Sequence, residues 1–121
     1  KYAHDIVALL KDPDTLVRVK ILFALEVLGA KECAPDIACL LKDPDDGVCE
    51  AAVKALSHLG KENIPQIADL LNHPNAMVRF EAAHGIHSLT GQSFTQDAGG
   101  VLAAQAWWEQ HKNDPEFAPK R

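Results

Sequence analysis

Histidines and cysteines are the residues of this chain with the most obvious potential for chemistry: six and three, respectively, in 121 residues. His84 and His87 are three positions apart, which puts both on one face of a helix. Zinc needs three or four ligands in tetrahedral geometry, and the spacings between Cys33, Cys39 and Cys49 match no zinc template. No nucleophile–base pattern and no glycine-rich phosphate loop is visible. We therefore expect no metal, no cofactor and no catalytic residue.

Composition narrows the function classes further. The 12 Lys and Arg against 17 Asp and Glu give a formal net charge of -5, whereas nucleic-acid binders are usually basic. No apolar run approaches the roughly 18 residues of a membrane span. An odd number of cysteines makes no disulfide framework. We expect a reduced, cytoplasmic protein that binds neither nucleic acid nor membrane.

The elements that must position any site come from a repeat of about 30 residues. Each unit has a Leu-Leu pair, a proline three residues later, then Asp or Asn, then a valine three residues further on. The prolines are Pro13, Pro44 and Pro74, which are 31 and 30 residues apart. Self-similarity at such a period is the signature of a repeat architecture.

Each repeat is predicted to form two helices. The first is short and ends before the proline, which cannot donate an N–H. The Asp or Asn after the proline caps the second helix, and a glycine such as Gly29 ends it. Helices are expected near 3–11, 15–28, 35–42, 46–59, 64–72 and 76–89.

The second helices carry an apolar face at helical spacing. In the first repeat this face is Val17, Ile21, Ala24, Leu25 and Leu28. Small residues at 52, 55, 82 and 85 predict close approach between neighbouring helices. Because one helix pair cannot bury such a face alone, stacked pairs must share a core. The predicted repeats are about 3–30, 34–60 and 64–91.

The segment after Gly91 leaves the repeat period. A helix over about 97–112, with Asp97 as its cap and Trp107 and Trp108 inside it, is expected to close the core, because terminal repeats are atypical. The prediction is one domain over 1–112 and a flexible tail over 113–121.

The repeated motif resembles the HEAT repeat, and its length is similar to the short subtype of phycobilisome lyases, the PBS-lyase HEAT-like repeat. The resemblance implies an all-α, right-handed α-solenoid of three helical hairpins plus a C-terminal capping helix. It also implies a non-catalytic scaffold that binds a protein or peptide. The chain departs from the family at Cys49, which stands where Arg18 and Arg79 stand in the other repeats.

In this fold the second helices line the concave face, so the side opposite their core is the candidate partner-binding stripe. We expect Phe80 and His84 at its centre. The stripe reads Val19, Phe23, Glu26, Glu50, Lys54, Ser57, Phe80, His84 and His87. Val19 and Phe23 have a second explanation, in which the chain is part of a longer array and further repeats precede Lys1. The protein is accordingly expected to be a monomer or part of such an array.

The resemblance leaves one other function class open, a phycobilin lyase or related cofactor-handling chaperone. Cys49 lies at the start of a second helix, where the helix dipole could lower the pKa of its thiol. The alternative, which we prefer, is that Cys49 is a small buried residue in the position of the arginine. Deoxyhypusine hydroxylase has similar repeats but binds iron through His-Glu pairs. The corresponding pairs here are Phe80-Glu81 and Cys49-Glu50, which lack the histidine and argue against iron chemistry.

Overall fold

A computed structural model describes residues 6–93 and 98–117 of the chain. All regular structure in these ranges is helical, which confirms the expected all-α class. Four long helices alternate with shorter ones. The α-helices are α1 (Thr15–Leu28), α2 (Ala34–Ala38), α3 (Asp46–Ser57), α4 (Ile64–Asp69), α5 (Ala76–Thr90) and α6 (Ala98–His111). The 3-10 helices are Ala8–Lys11, Lys31–Cys33, Cys39–Lys42, Lys61–Asn63 and Leu70–Asn72.

The first helix of each repeat ends in a 3-10 turn rather than continuing as one α-helix. Asp43, which precedes Pro44, has ψ 140, and His73, which precedes Pro74, has ψ 144. A proline disfavours the helical region at the residue before it. The first helix therefore ends in a tighter 3-10 turn, and its last residue is two positions before the proline.

The predicted caps of the second helices are confirmed. The side chain of Asp14 accepts a hydrogen bond from Leu16 N. Asp45 and Asn75 each accept from two main-chain N–H groups in the first turns of α3 and α5. Gly29 adopts φ 63 after α1, a left-handed conformation that glycine reaches without strain.

The shared core is formed by the long helices. In the second repeat, the positions equivalent to the predicted apolar face are at most 1% exposed: Val48, Ala52, Ala55, Leu56 and Leu59. Helix α3 packs against α1 on one side and α5 on the other. The expected burial of Leu28 is wrong: this residue is 58% exposed, whereas its counterpart Leu59 is 1% exposed.

One buried row on the long helices was not predicted. Leu22, Val53 and Ala83 are equivalent positions in the three repeats, and they are 0%, 0% and 4% exposed. Each long helix between two neighbours is packed on two flanks, so its buried surface is wider than the apolar face that a single helix suggests.

The small residues do allow close approach, as predicted. A Cβ atom added to Gly85 of α5 would lie 2.2 Å from Ser57 Oγ of α3. That hydroxyl donates a hydrogen bond to Val53 O at 2.7 Å. The contact between α3 and α5 therefore has no room for a side chain at position 85.

A main-chain oxygen before each proline is satisfied from the following helix. Arg18 Nη1 donates to Asp12 O, and Arg79 Nη1 donates to His73 O at 2.7 Å. In the middle repeat the thiol of Cys49 donates to the equivalent oxygen of Asp43 at 3.0 Å. A thiol thus replaces one function of the arginine.

The second function of the arginine is an ion pair between repeats, and among the described residues it is made in the first repeat alone. Arg18 Nε lies 3.2 Å from Asp43 Oδ2 of the next repeat, and both side chains are largely buried. Cys49 has no charge with which to continue the ladder, and His73 stands where the next acidic residue would be.

Helix α6 covers the end of the third repeat. It contacts α5, and Gln105 Nε2 donates to Leu71 O at 2.9 Å. The predicted cap Asp97 lies outside the described residues. Residues 113–117, in the segment predicted to be a flexible tail, bring Phe117 onto Trp107 and Trp108, with ring centroids 6.1 and 5.4 Å apart. Residues 118–121 lie outside the described ranges.

Replacing Gly85 by alanine is expected to destabilise the protein by about 1–3 kcal/mol, because the new methyl group displaces the Ser57 hydroxyl. At an exposed helical position the same change from glycine to alanine would have the opposite effect and stabilise the helix by about 1 kcal/mol. Chemical denaturation measures the free energy of unfolding. The double variant Gly85→Ala, Ser57→Ala should recover part of the loss. Gly99→Ala on the exposed side of α6 is the control, and an equal loss there would contradict the packing argument.

Replacing Arg18 by methionine is expected to cost about 2–3 kcal/mol, since the buried Asp43 carboxylate loses its cation. The matched variant Arg79→Met removes the same hydrogen bond to the turn but breaks no ion pair with a described residue, so it should cost only about 1 kcal/mol. Urea denaturation of both variants checks the difference. Equal losses would mean that the ion pair between repeats adds nothing.

Candidate interaction site

The side chains that α1, α3 and α5 turn away from the rest of the fold lie in equivalent rows. We call this surface the open face. On α1, Leu16, Phe23 and Val27 are 58%, 60% and 68% exposed, and Met77 on α5 is 56% exposed. The open face consists of Leu16, Lys20, Phe23 and Val27 on α1, Gly47, Ala51, Lys54 and His58 on α3, and Met77, Glu81, His84 and Ser88 on α5.

The predicted stripe overlaps the open face along one row. Phe23, Lys54 and His84 are exposed at equivalent positions. The row of Val19, Glu50 and Phe80 is half-buried and borders the open face. The row of Glu26, Ser57 and His87 is more enclosed, because Ser57 is buried and the other two residues are half-buried. The open face is therefore rotated about the helix axes relative to the predicted stripe.

Ser57 is the position at which the prediction of an outward side chain is wrong. It is 6% exposed, and its hydroxyl is bonded within its own helix. Across the contact lies Gly85, whose missing side chain provides the space for Ser57. A pattern read from one helix does not show this contact, because it depends on the neighbouring repeat.

Glu26 and His87, the other members of this row, make contacts within the protein. Glu26 has a side chain that is 14% exposed, and its Oε2 lies 3.0 Å from Nδ1 of His58. His87 Nδ1 donates to the main-chain oxygen of Gln92, beyond the end of α5. The rings of His84 and His87 are 6.0 Å apart. Of the two histidines, His84 is the more available to a ligand.

Two clefts open on this side of the molecule. The smaller, of about 120 Å³, lies between α1 and α3 and is lined by Val19, Phe23, Glu26, Ala51 and Lys54. The larger, of about 400 Å³, is lined on α5 by residues at helical positions i, i+3, i+4 and i+7. Its lining is Met77, Phe80, Glu81 and His84. Both clefts combine apolar side chains with a carboxylate.

Glu81 is one of several open-face residues that the predicted stripe lacks, and it is the one with a perturbed carboxyl group. Burial raises the pKa of its carboxyl group above the ordinary value, and the charges of Glu50 and Glu26 raise it further. His84 and Lys54 act in the opposite direction. The available signal was its spacing, four residues after Met77 and three before His84. Carboxylates from α1, α3 and α5 thus influence one another on this surface.

Cysteine chemistry at the start of α3 does not fit the surroundings of Cys49. The side chain is fully buried. Burial raises the pKa of its thiol, as do the charges of Asp43 and Asp46. The preferred interpretation of Cys49 as a small buried residue is therefore confirmed, and a lowered pKa is not, since desolvation and the nearby carboxylates outweigh the helix dipole.

Within residues 6–93 and 98–117, no three His, Cys, Asp or Glu side chains are grouped closely enough to hold a metal ion. Each helix in the same part of the chain is too short or too polar to cross a bilayer.

Replacing Glu81 by glutamine is expected to stabilise the fold at pH 7. A carboxyl group whose pKa is raised by folding opposes folding once it is ionised in the unfolded chain. The gain should shrink as the pH falls below the ordinary carboxyl pKa of about 4.3, because the carboxyl is then neutral in both states. Thermal unfolding of both proteins between pH 3 and 7 checks this, and Glu109→Gln on α6 is the exposed control. A gain independent of pH would contradict the desolvation of Glu81.

Comparison with known families agrees with the repeats and the all-helical architecture. A family model described as HEAT repeats matches residues 4–87, which is more than half of the chain. The search of curated proteins gives no match. Members of this family commonly mediate protein–protein interactions. The sequence match and the stacked helices together show that the chain belongs to the HEAT-repeat family.

Proposed function

We propose that this protein is a non-catalytic scaffold that binds a protein or peptide on the open face. The observation that carries the proposal is a set of exposed apolar side chains on one face, Leu16, Phe23 and Val27 on α1 and Met77 on α5, beside two clefts. Single exposed apolar residues are ordinary on a protein surface. Four of them on one face of a repeat array form a surface of the kind that solenoid proteins use for their partners.

The architecture proposed for this function is a right-handed solenoid of three hairpins, closed by α6, in which the open face is concave. The setting proposed is a cytoplasmic monomer or a segment of a longer array. Cys33, Cys39 and Cys49 are free thiols, and two of them are buried, which suits a reducing compartment. A concave surface would let a partner touch all three long helices at once.

The resemblance to the phycobilisome-lyase subtype supplies an alternative, a chaperone that handles a bilin or another cofactor. The residue on which that alternative was based is Cys49, whose buried thiol donates to Asp43 O. A thiol in this position is poorly placed to meet a ligand. The scaffold proposal is therefore preferred, because its residues are exposed.

The test of the scaffold proposal replaces two exposed side chains of α1, in the variant Phe23→Ser, Val27→Ser. Binding of proteins captured from the native lysate should fall about tenfold or more, since each apolar side chain contributes about 1.5–3 kcal/mol when fully buried. Quantitative mass spectrometry of the captured proteins gives the measurement. The fold should be unaffected, because both side chains are already solvent-exposed.

The matched control is Leu102→Ser on α6, where the leucine is 66% exposed but lies outside the open face. This variant should capture the same proteins as the wild type. If Phe23→Ser, Val27→Ser also captures them at wild-type levels, with an unchanged melting temperature, the open face is not the binding surface.

A further inference from the structure

The larger cleft combines three features that suit one type of side chain. Met77 and Phe80 offer an apolar wall and an aromatic ring, and Glu81 offers a half-buried carboxylate. An arginine has an aliphatic stem that packs on apolar surface and a planar guanidinium that stacks on aromatic rings and binds a carboxylate through two hydrogen bonds. Among the ordinary side chains, arginine uses all three features at once.

The charges around the cleft favour the same occupant. The groups that act on Glu81 are Glu26 from α1, Glu50 and Lys54 from α3, and His84 from its own helix. Glu26 already faces His58 at 3.0 Å. Including Glu81 itself, these groups comprise three carboxylates, one lysine and the imidazole of His84. An incoming positive charge is therefore attracted to this region, and an incoming carboxylate is repelled.

The exposed apolar side chains of α1 determine the length of peptide that could bind. Phe23 and Val27 lie two helices away from the cleft of α5, because α3 stands between α1 and α5. Packed helices are about 8–10 Å apart, so the separation is about 16–20 Å. An extended peptide covers about 3.3–3.6 Å per residue. A bound segment would therefore place an apolar residue about five or six positions from the residue in the cleft.

We propose that the open face binds an extended, basic peptide segment of a partner protein, with an arginine in the Met77–Phe80–Glu81 cleft and an apolar residue about five or six positions away against Phe23 and Val27. This inference rests on the proposed scaffold function and adds the chemistry of the partner. Glu50 and Glu81 supply the negative charge, and Met77 and Phe80 position the aliphatic stem.

The test is selection from a displayed library of random 12-residue peptides against the full chain. We expect enrichment of peptides that carry arginine and an aromatic or aliphatic residue about five or six positions apart. An enriched peptide, synthesised with a fluorescent label, should bind at least tenfold more weakly to Glu81→Gln than to the wild type. Replacing its arginine by lysine should weaken binding severalfold, because lysine cannot form the paired hydrogen bonds.

The control is Glu109→Gln on α6, where the glutamate is exposed and pairs with Lys112. This variant changes the net charge as Glu81→Gln does, and it should bind the peptide normally. The affinity for the peptide should also fall as the pH is lowered and the Glu81 carboxylate becomes protonated. The other charged or titratable groups that act on Glu81 are Glu26, Glu50, Lys54 and His84. A peptide affinity that is unaffected by Glu81→Gln would overturn the proposal.

The outcomes separate this inference from the scaffold proposal. One possible outcome is that the enriched peptides lack arginine or are acidic, and that they bind less to the variant Phe23→Ser, Val27→Ser. This result would support the scaffold function and contradict an arginine in the cleft. Peptides indifferent to both variants would overturn both. Sedimentation would reveal a further contradiction: if Glu81→Gln converts a dimer into a monomer, the occupant is a second copy of this chain.

Discussion

The contact of each long helix with the next is the constraint on which the rest of the structure depends. Helix α3 lies between α1 and α5, and its core positions are almost fully buried only because both neighbours are present. The closest part of this stack is the contact of Ser57 with Gly85. Since the two flanks of a long helix are used for packing and its rear faces the short helices, one face remains for solvent and ligands. The open face is thus a consequence of the stacking.

The turns between helices fix the direction in which that face points. In each repeat a proline ends the first helix, and an Asp or Asn caps the second. The residue just before the proline has an extended main chain, and its carbonyl oxygen accepts a hydrogen bond from the side chain six residues later. Arginine does this in two repeats, and Cys49 does it in the middle one. The thiol preserves the turn but cannot form the ion pair that joins Arg18 to Asp43. Turn geometry and cohesion between repeats are therefore separate functions of one position.

Local features of the chain could be predicted from sequence, whereas features that depend on a neighbour could not. Proline spacing, capping residues and helical spacing located the long helices, and α1 was predicted at its observed limits. The orientation of each helix about its own axis was less accessible. Ser57 was expected outside and is buried, Leu28 was expected inside and is exposed, and Glu81 was overlooked. Each error concerns a side chain whose environment is set by the adjacent repeat.

Glu81 illustrates how packing can prepare a surface for a partner. Its carboxylate is half-buried beside two other carboxylates, so its charge is partly desolvated without full compensation. Such a group opposes folding slightly when it is ionised. A partner that brings a cation into the cleft reverses this effect, because the attraction between opposite charges is stronger where water is excluded. The unfavourable environment in the free protein and the preference for a basic ligand then have the same cause, which is the electrostatic influence of Glu26 and Glu50 on the partly desolvated Glu81.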